Sequence, residues 1–188
     1  MKIYVLWFIL FIAFWINGCP NDSKKDVSLT KAKNVFKDGD YEAALVLYED
    51  LIETEGSIAR VGAAWCYIRL NDYATANTYF SLSADDSLVD GYAGWTFTAW
   101  AANSPQGAIE KASFVLRKNA AYVLSLDSRV NANHLIWIQA SSYFQLSNYS
   151  ASVDRIKLLD AAFNPNLNAE NISQVIAEKL QMLGAVHF

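Results

Sequence analysis

The sequence predicts an all-α protein built from repeated helical hairpins. A polar helix cap followed by Tyr, Ala and a second aromatic residue begins at Asp40 and returns 32 residues later at Asp72. Gly62 and Gly94 are separated by the same step. With 8 glycines and 3 prolines in 188 residues, strands joined by tight turns are disfavoured, and a hydrophobic content of 53% is ample for one packed core.

The chain begins with an apolar segment that has the length of a signal-peptide core. Residues 3–16 contain no charged side chain. A helix of this length extends about 21 Å, which is less than the roughly 30 Å hydrocarbon core of a membrane. A removable signal peptide is therefore favoured over a permanent membrane span.

The apolar segment ends in Ile16-Asn17-Gly18-Cys19, which resembles the lipobox of bacterial lipoproteins. The resemblance implies that residues 1–18 are removed, that acyl chains such as palmitate are attached at Cys19, and that the polar residues 19–26 form a tether. It also implies the bacterial cell envelope, with the periplasmic face of the outer membrane favoured and the inner membrane or cell surface as alternatives. An uncleaved anchor or ordinary secretion, in which Cys19 is free to pair with Cys66, stays open.

Residues 27–188 are predicted to form one domain of four unequal units. In the first unit, a helix over 29–38 ends at the Gly39-Asp40 turn, where Asp40 caps a second helix over 41–53. The third unit has Ser104-Pro105 at this turn, and proline suits the first turn of a helix. The units span residues 25–56, 57–88, 89–120 and 133–164, with an insertion at 121–132 and a capping helix within 165–188.

The insertion and the C-terminal segment carry patterns of their own. Tyr122, Val123 and the two leucines that follow make the insertion apolar enough to dock on the helices, and Asp127-Ser128 offers a cap for the next helix. Apolar residues recur with helical period over 169–183, which predicts an amphipathic helix. Such a helix should cap the open end of a repeat stack.

Each unit reads as a helix rich in small residues, a Gly/Asn-Asp-Tyr turn, and Ala followed four residues later by an aromatic side chain. This pattern resembles the tetratricopeptide repeat (TPR). The resemblance implies a right-handed alpha-alpha superhelix. The chain departs from the family in its period, which is 32 residues instead of about 34, and in lacking the proline that closes each unit in the first three copies.

The resemblance also implies a concave groove, lined by the first helix of each hairpin, that receives an extended peptide or a helix. These positions are aromatic with a basic edge, and the alternative is that the aromatic residues only fill space between repeats. Leu29 stands where a chaperone-binding member would place its first clamp lysine, which disfavours chaperone docking. The nominated positions are Lys33, Phe36, Lys37, Val61, Trp65, Ile68, Arg69, Ala93, Phe97, Trp100, Trp137, Ser141 and Phe144.

The sequence offers little catalytic or metal-binding chemistry. His134 and His187 are the only histidines, and neither has a second ligand at metal spacing. Cys66 lies between two aromatic residues, where a buried small side chain is expected. The net charge is −4, with no basic run long enough to follow a nucleic acid backbone. We therefore expect no enzyme activity, cofactor, metal or nucleic acid partner.

These observations favour a membrane-anchored lipoprotein whose repeats bind a protein or peptide partner as a scaffold or assembly factor. A lipoprotein that binds a small molecule in an aromatic groove is the alternative from another class. A cell-wall-acting enzyme is a third hypothesis, which needs polar residues brought together from distant repeats.

Overall fold

The computed structural model describes residues 28–84 and 88–187, which form ten helices and no β-strand. The predicted all-α class is confirmed, whereas the signal peptide, Cys19 and the tether lie outside the described residues. Consecutive helices pack in adjacent pairs. The helices are α1 (Leu29–Lys37), α2 (Tyr41–Asp50), α3 (Ile52–Glu55), α4 (Ser57–Arg69), α5 (Tyr73–Ser81), α6 (Val89–Ala101), α7 (Pro105–Lys118), α8 (Ala132–Gln145), α9 (Tyr149–Leu159) and α10 (Ile172–His187).

None of the helices in the described ranges has both the length and the apolar character needed to cross a membrane.

The same turn joins α1 to α2, α4 to α5, α6 to α7 and α8 to α9. In the second of these turns, Asn71 has a φ of 64° and the N–H of Asp72 donates to the carbonyl of Tyr67 at 2.9 Å. This Schellman arrangement satisfies carbonyls at the end of the first helix. The carboxylate of Asp72 then caps the second helix by accepting from the N–H of Thr75 at 3.0 Å. The left-handed residues of the four turns are Gly39, Asn71, Asn103 and Ser147.

Three clusters of buried hydrophobic residues hold the described helices together, and the smallest joins Ala99 of α6, Ala108 of α7 and Ile138 of α8. The largest one extends from α1 to the start of α8 and includes Trp65, whose ring centroid lies 5.9 Å from that of Phe80 and 5.8 Å from that of Phe97. A second cluster joins α8 and α9 to α10. The C-terminal helix thus covers the last hairpin.

Element boundaries differ from the sequence expectation at two places. The second helix of the first unit, expected to run to residue 53, divides into α2 and α3 at Leu51. The last helix was expected from residue 169 and begins at Ile172, because the residues before it form turns.

Candidate binding surface

The insertion loop, residues 119–131 between α7 and α8, lies across the first helices of the first three hairpins. Asp90 on α6 holds the loop through both carboxylate oxygens, one accepting from the Tyr122 hydroxyl at 2.9 Å and the other from the Ser125 hydroxyl at 2.6 Å. Arg69 on α4 forms an ion pair with Asp127 of the loop. The chain therefore covers part of its own nominated groove.

The insertion loop is extended around Val123 and bends at Ser125 and Leu126. Leu124 donates its N–H to the carbonyl of Val130 at 2.9 Å, and an antiparallel bridge joins Val123 to Asn131. Successive side chains of an extended segment point to opposite sides. Tyr122 and Leu124 are accordingly buried, and Leu126 in the bend is buried as well, whereas Val123, which was also expected to dock, is 50% exposed.

Asp127 is the centre of the charged contacts made by the loop. Arg129 donates to both of its carboxylate oxygens, at 2.9 and 2.8 Å, and Arg69 approaches from α4. The hydrogen bonds from Arg129, assisted by the positive charge of Arg69, hold the pKa of the Asp127 carboxyl below its usual range. The guanidinium of Arg69, one of the three basic residues nominated for the groove, is thus already paired within the chain.

Helix α10 covers the nominated residues of the fourth hairpin. The indole N–H of Trp137 donates to the carbonyl of Leu180 at 2.9 Å, and Gly184 lies against the same ring. Phe144 packs against the cluster that α10 forms with α8 and α9. The capping helix therefore lies on the first helix of the hairpin as well as on the second.

An aromatic cleft of about 380 Å³ stays open beside the insertion loop. Tyr73, which is 40% exposed, and Val130 of the insertion loop both line this cleft. Five of the residues nominated from sequence meet here. The lining residues are Trp65, Ile68, Arg69, Asn71, Tyr73, Phe97, Trp100, Ala101 and Val130.

Two further clefts border the same loop. A polar cleft of about 570 Å³ is lined by Phe36, Lys37 and Tyr41 on one side and by loop residues 124–129 on the other. A smaller apolar cleft of about 230 Å³ includes Lys33 among its lining residues. The loop thus divides the surface that the resemblance implied to be continuous.

The nominated residues fall into different environments. Phe36, Trp65 and Ile68 are buried, at 2%, 1% and 9% exposure, so that Trp65 forms only the floor of the aromatic cleft. Lys33 and Lys37 are exposed. The half-buried members are Arg69, Phe97, Trp100, Trp137, Ser141 and Phe144, whereas Val61 and Ala93 are buried.

Two residues of the candidate surface escaped the sequence analysis. Asp90 and Tyr73 were not nominated, because only the folded insertion loop shows what lies beside them. The expectation that Asp127-Ser128 caps the following helix is wrong, since the N-cap of α8 is Asn131, whose side chain accepts from the N–H of Asn133 at 3.0 Å. His134 completes this cap, as its Nδ1 accepts from the N–H of Asn131 at 3.3 Å.

Burial shifts the pKa values of two titratable groups near the core. Burial raises the pKa of the Cys66 thiol to about 12, so the thiol stays neutral at physiological pH. Burial likewise raises the pKa of the Tyr122 hydroxyl, which donates to Asp90. In residues 28–84 and 88–187, no three or more His, Cys, Asp or Glu side chains come together in a way that could hold a metal ion.

The described residues form an all-helical protein with helices packed in adjacent pairs and an open aromatic cleft. No protein-family model matches the chain, and no curated protein matches it. The functional assignment therefore rests on the residues of the chain itself.

Proposed function

We propose that this protein is a membrane-anchored lipoprotein of the TPR type that binds a segment of another protein in its aromatic cleft, as a scaffold or assembly factor. The observation that carries the proposal is the convergence of five nominated residues on one open cleft. Trp65 and Ile68 form the floor of the cleft, and Phe97, Trp100 and Tyr73 offer further apolar surface.

The repetition of the hairpin turn supports the finer fold assignment. The left-handed residues of the four turns are separated by 32, 32 and 44 residues, which matches a constant period with one insertion. Successive equivalent hairpins stacked in this way form a superhelix in repeat proteins. We therefore retain the right-handed alpha-alpha superhelix as part of the proposal.

The chemistry of the cleft suits a protein segment with apolar or aromatic side chains. Trp, Tyr and Arg are the residues that most often dominate protein interfaces. Three of the cleft residues are of these types and are not fully buried, namely Tyr73, Trp100 and Arg69. An aromatic or aliphatic side chain inserted between Tyr73 and Trp100 would bury apolar surface worth about 1.5–3 kcal/mol.

The test replaces an exposed residue of the cleft without disturbing the core. Tyr73→Glu places a carboxylate in the first turn of α5, where the helix dipole tolerates negative charge. Leu158→Glu, at a 60% exposed apolar position on α9, is the matched control. We expect crosslinked capture of the partner from envelope extracts to fall at least tenfold for Tyr73→Glu and to persist for Leu158→Glu. Equal capture by both variants, with unchanged far-UV circular dichroism, would reject the cleft as the binding site.

The size of the cleft favours one second candidate, a lipoprotein that binds a small molecule. A volume of about 380 Å³ falls within the roughly 300–1,000 Å³ typical of small-molecule pockets. A sugar, a lipid or an aromatic nutrient would fit the apolar lining. A rise in melting temperature with one member of a metabolite panel, absent in Tyr73→Glu, would favour this candidate over a protein partner.

The membrane anchor is proposed from the residues that precede the described part of the chain. Lipidation of Cys19 would hold the mature protein at the cell envelope, since each buried methylene of an acyl chain contributes about 0.8 kcal/mol. Mass spectrometry of the N-terminal peptide should detect cleavage before Cys19 and a diacylglyceryl-modified thiol. In Cys19→Ser, the protein should leave the membrane fraction or stay unprocessed, and an unchanged membrane fraction would argue against the anchor.

A further inference from the structure

We infer that the insertion loop is an internal ligand, and that the surface beneath it recognises a partner segment with the same chemistry: a short segment with apolar side chains at three alternate positions followed directly by a carboxylate. The inference deepens the proposed function and rests on it. It assigns a second contact surface, next to the aromatic cleft, and specifies the partner that this surface fits.

The loop is held as a bound peptide would be. Tyr122, Leu124 and Leu126 enter the helical stack at alternate positions, with 2%, 1% and 5% of their surface exposed. This spacing is the one by which an extended chain presents one face. The side chains between them, those of Val123 and Ser125, are exposed.

Two side chains on the helices, those of Asp90 and Arg69, make polar contacts with the loop. Asp90 on α6 accepts from the Tyr122 hydroxyl, from the Ser125 hydroxyl and, at 3.3 Å, from the Ser125 N–H. Arg69 on α4 pairs with the carboxylate of Asp127. A guanidinium that meets a carboxylate fixes both the charge and the register of the segment that carries it.

The helices therefore present a complete recognition surface whether the segment belongs to this chain or to another. A partner segment with the same pattern, aromatic-x-Leu-x-Leu-Asp, would meet the same pockets, the same acceptor at Asp90 and the same cation at Arg69. It would bind by taking the place of the loop. Only molecules in which the loop has left the surface can bind the partner, so the apparent affinity is the intrinsic affinity multiplied by the fraction of such molecules.

The test uses a fluorescein-labelled peptide of residues 120–131 and the full-length protein. Asp127→Asn loosens the internal loop without changing Arg69, so we expect this variant to bind the peptide at least fivefold more tightly than wild type. Ser125→Ala removes the hydrogen bond from the Ser125 hydroxyl to Asp90 and should also strengthen peptide binding. This variant replaces Asp127→Asn in the experiment if Asp127→Asn does not fold. The peptide in which the residue equivalent to Asp127 is Asn should bind at least fivefold more weakly.

A charge exchange tests the contact directly. Arg69→Glu should reject the native peptide and bind one that carries Arg in place of Asp. The inference is overturned if the peptide binds to none of the folded variants. It is also overturned if the peptide affinity is the same with and without the Asp127→Asn change and the charge exchange. If the inference fails but capture of the partner still depends on Tyr73, the proposed function stands. If the peptide binds as expected but partner capture does not depend on Tyr73, only the aromatic cleft is rejected as a binding site.

Discussion

The ring of Tyr48 lies so close to the backbone of Gly62 that a methyl group on this glycine would come within 2.2 Å of the ring carbon Cε1. Phe80 and Gly94 repeat the relationship 32 residues later, with a separation of 2.1 Å from Cζ. Each pair joins the second helix of one hairpin to the first helix of the next. The two glycines therefore set how closely neighbouring hairpins approach.

Gly62→Ala and Gly94→Ala should each destabilise the fold. Tyr48 and Phe80 are buried, at 2% and 1% exposure, so each ring is already packed against its neighbours. Overpacking of this kind costs about 1–3 kcal/mol, which exceeds the roughly 1 kcal/mol that alanine gains over glycine in a helix. Chemical denaturation of each variant and of wild type measures the loss in the free energy of unfolding.

Gly107→Ala is the control for these two substitutions. Gly107 lies in the first turns of α7, where a new methyl group meets only the rotatable hydroxyl of Ser104 at 2.9 Å. This variant should be neutral or more stable than wild type. Equal loss of stability at Gly62, Gly94 and Gly107 would show that close packing is not the cause.

Ser147→Gly should stabilise the protein. Ser147 holds a φ of 57°, a left-handed conformation that glycine adopts without the steric penalty of a β-carbon. The expected gain is about 0.5–1 kcal/mol in the free energy of unfolding. Ser147→Ala removes the same hydroxyl but keeps the β-carbon, so a matching gain in the alanine variant would refute the backbone explanation.

Asp127→Asn should lower stability in a pH-dependent manner. The folded-state pKa of Asp127 lies below its unfolded value of about 3.9, so the stabilisation is fully present above that pH and is lost as the pH falls through the folded-state pKa. Near neutral pH we expect a loss of about 1.5–3 kcal/mol, the range for hydrogen bonds to charged groups. Unfolding curves measured from neutral pH to pH 2.5 should converge for wild type and variant, and a constant gap would contradict this.

The thiol of Cys66 should resist modification in the native protein. The side chain is fully buried and its pKa is raised to about 12, so the thiolate that reacts is scarce at pH 8. In a Cys19→Ser background, a thiol reagent should label Cys66 slowly in buffer and completely in denaturant. Rapid labelling in buffer would show that α4 opens readily.

Short-range sequence patterns predicted much of the fold. The Gly39-Asp40 and Asn71-Asp72 turns predicted where helices end and begin, because a left-handed residue followed by an N-cap is a property of a few adjacent residues. The 32-residue step placed Gly62 and Gly94 at equivalent positions. The expected docking of the insertion followed from its apolar composition.

The candidate site was harder to foresee. Sequence register nominated Trp65, Trp100 and Arg69, which line one cleft in the structure, but gave no means of seeing that Arg69 already pairs with Asp127, 58 residues away. Nor did it indicate that α10 covers Trp137. Such contacts depend on side chains that meet only after the whole chain has folded.

The sequence by itself determined the helical class, the turns and the recurrence of the hairpin, because caps, glycine positions and hydrophobic period act within a few residues or repeat along the chain. Only the tertiary structure decided that the insertion loop lies across α1, α4 and α6 and leaves an aromatic cleft at its side. The physical reason is that the path of a loop is set by the pockets and charges it finds on distant helices. Tyr122, Asp90, Asp127 and Arg69 became partners through that folding.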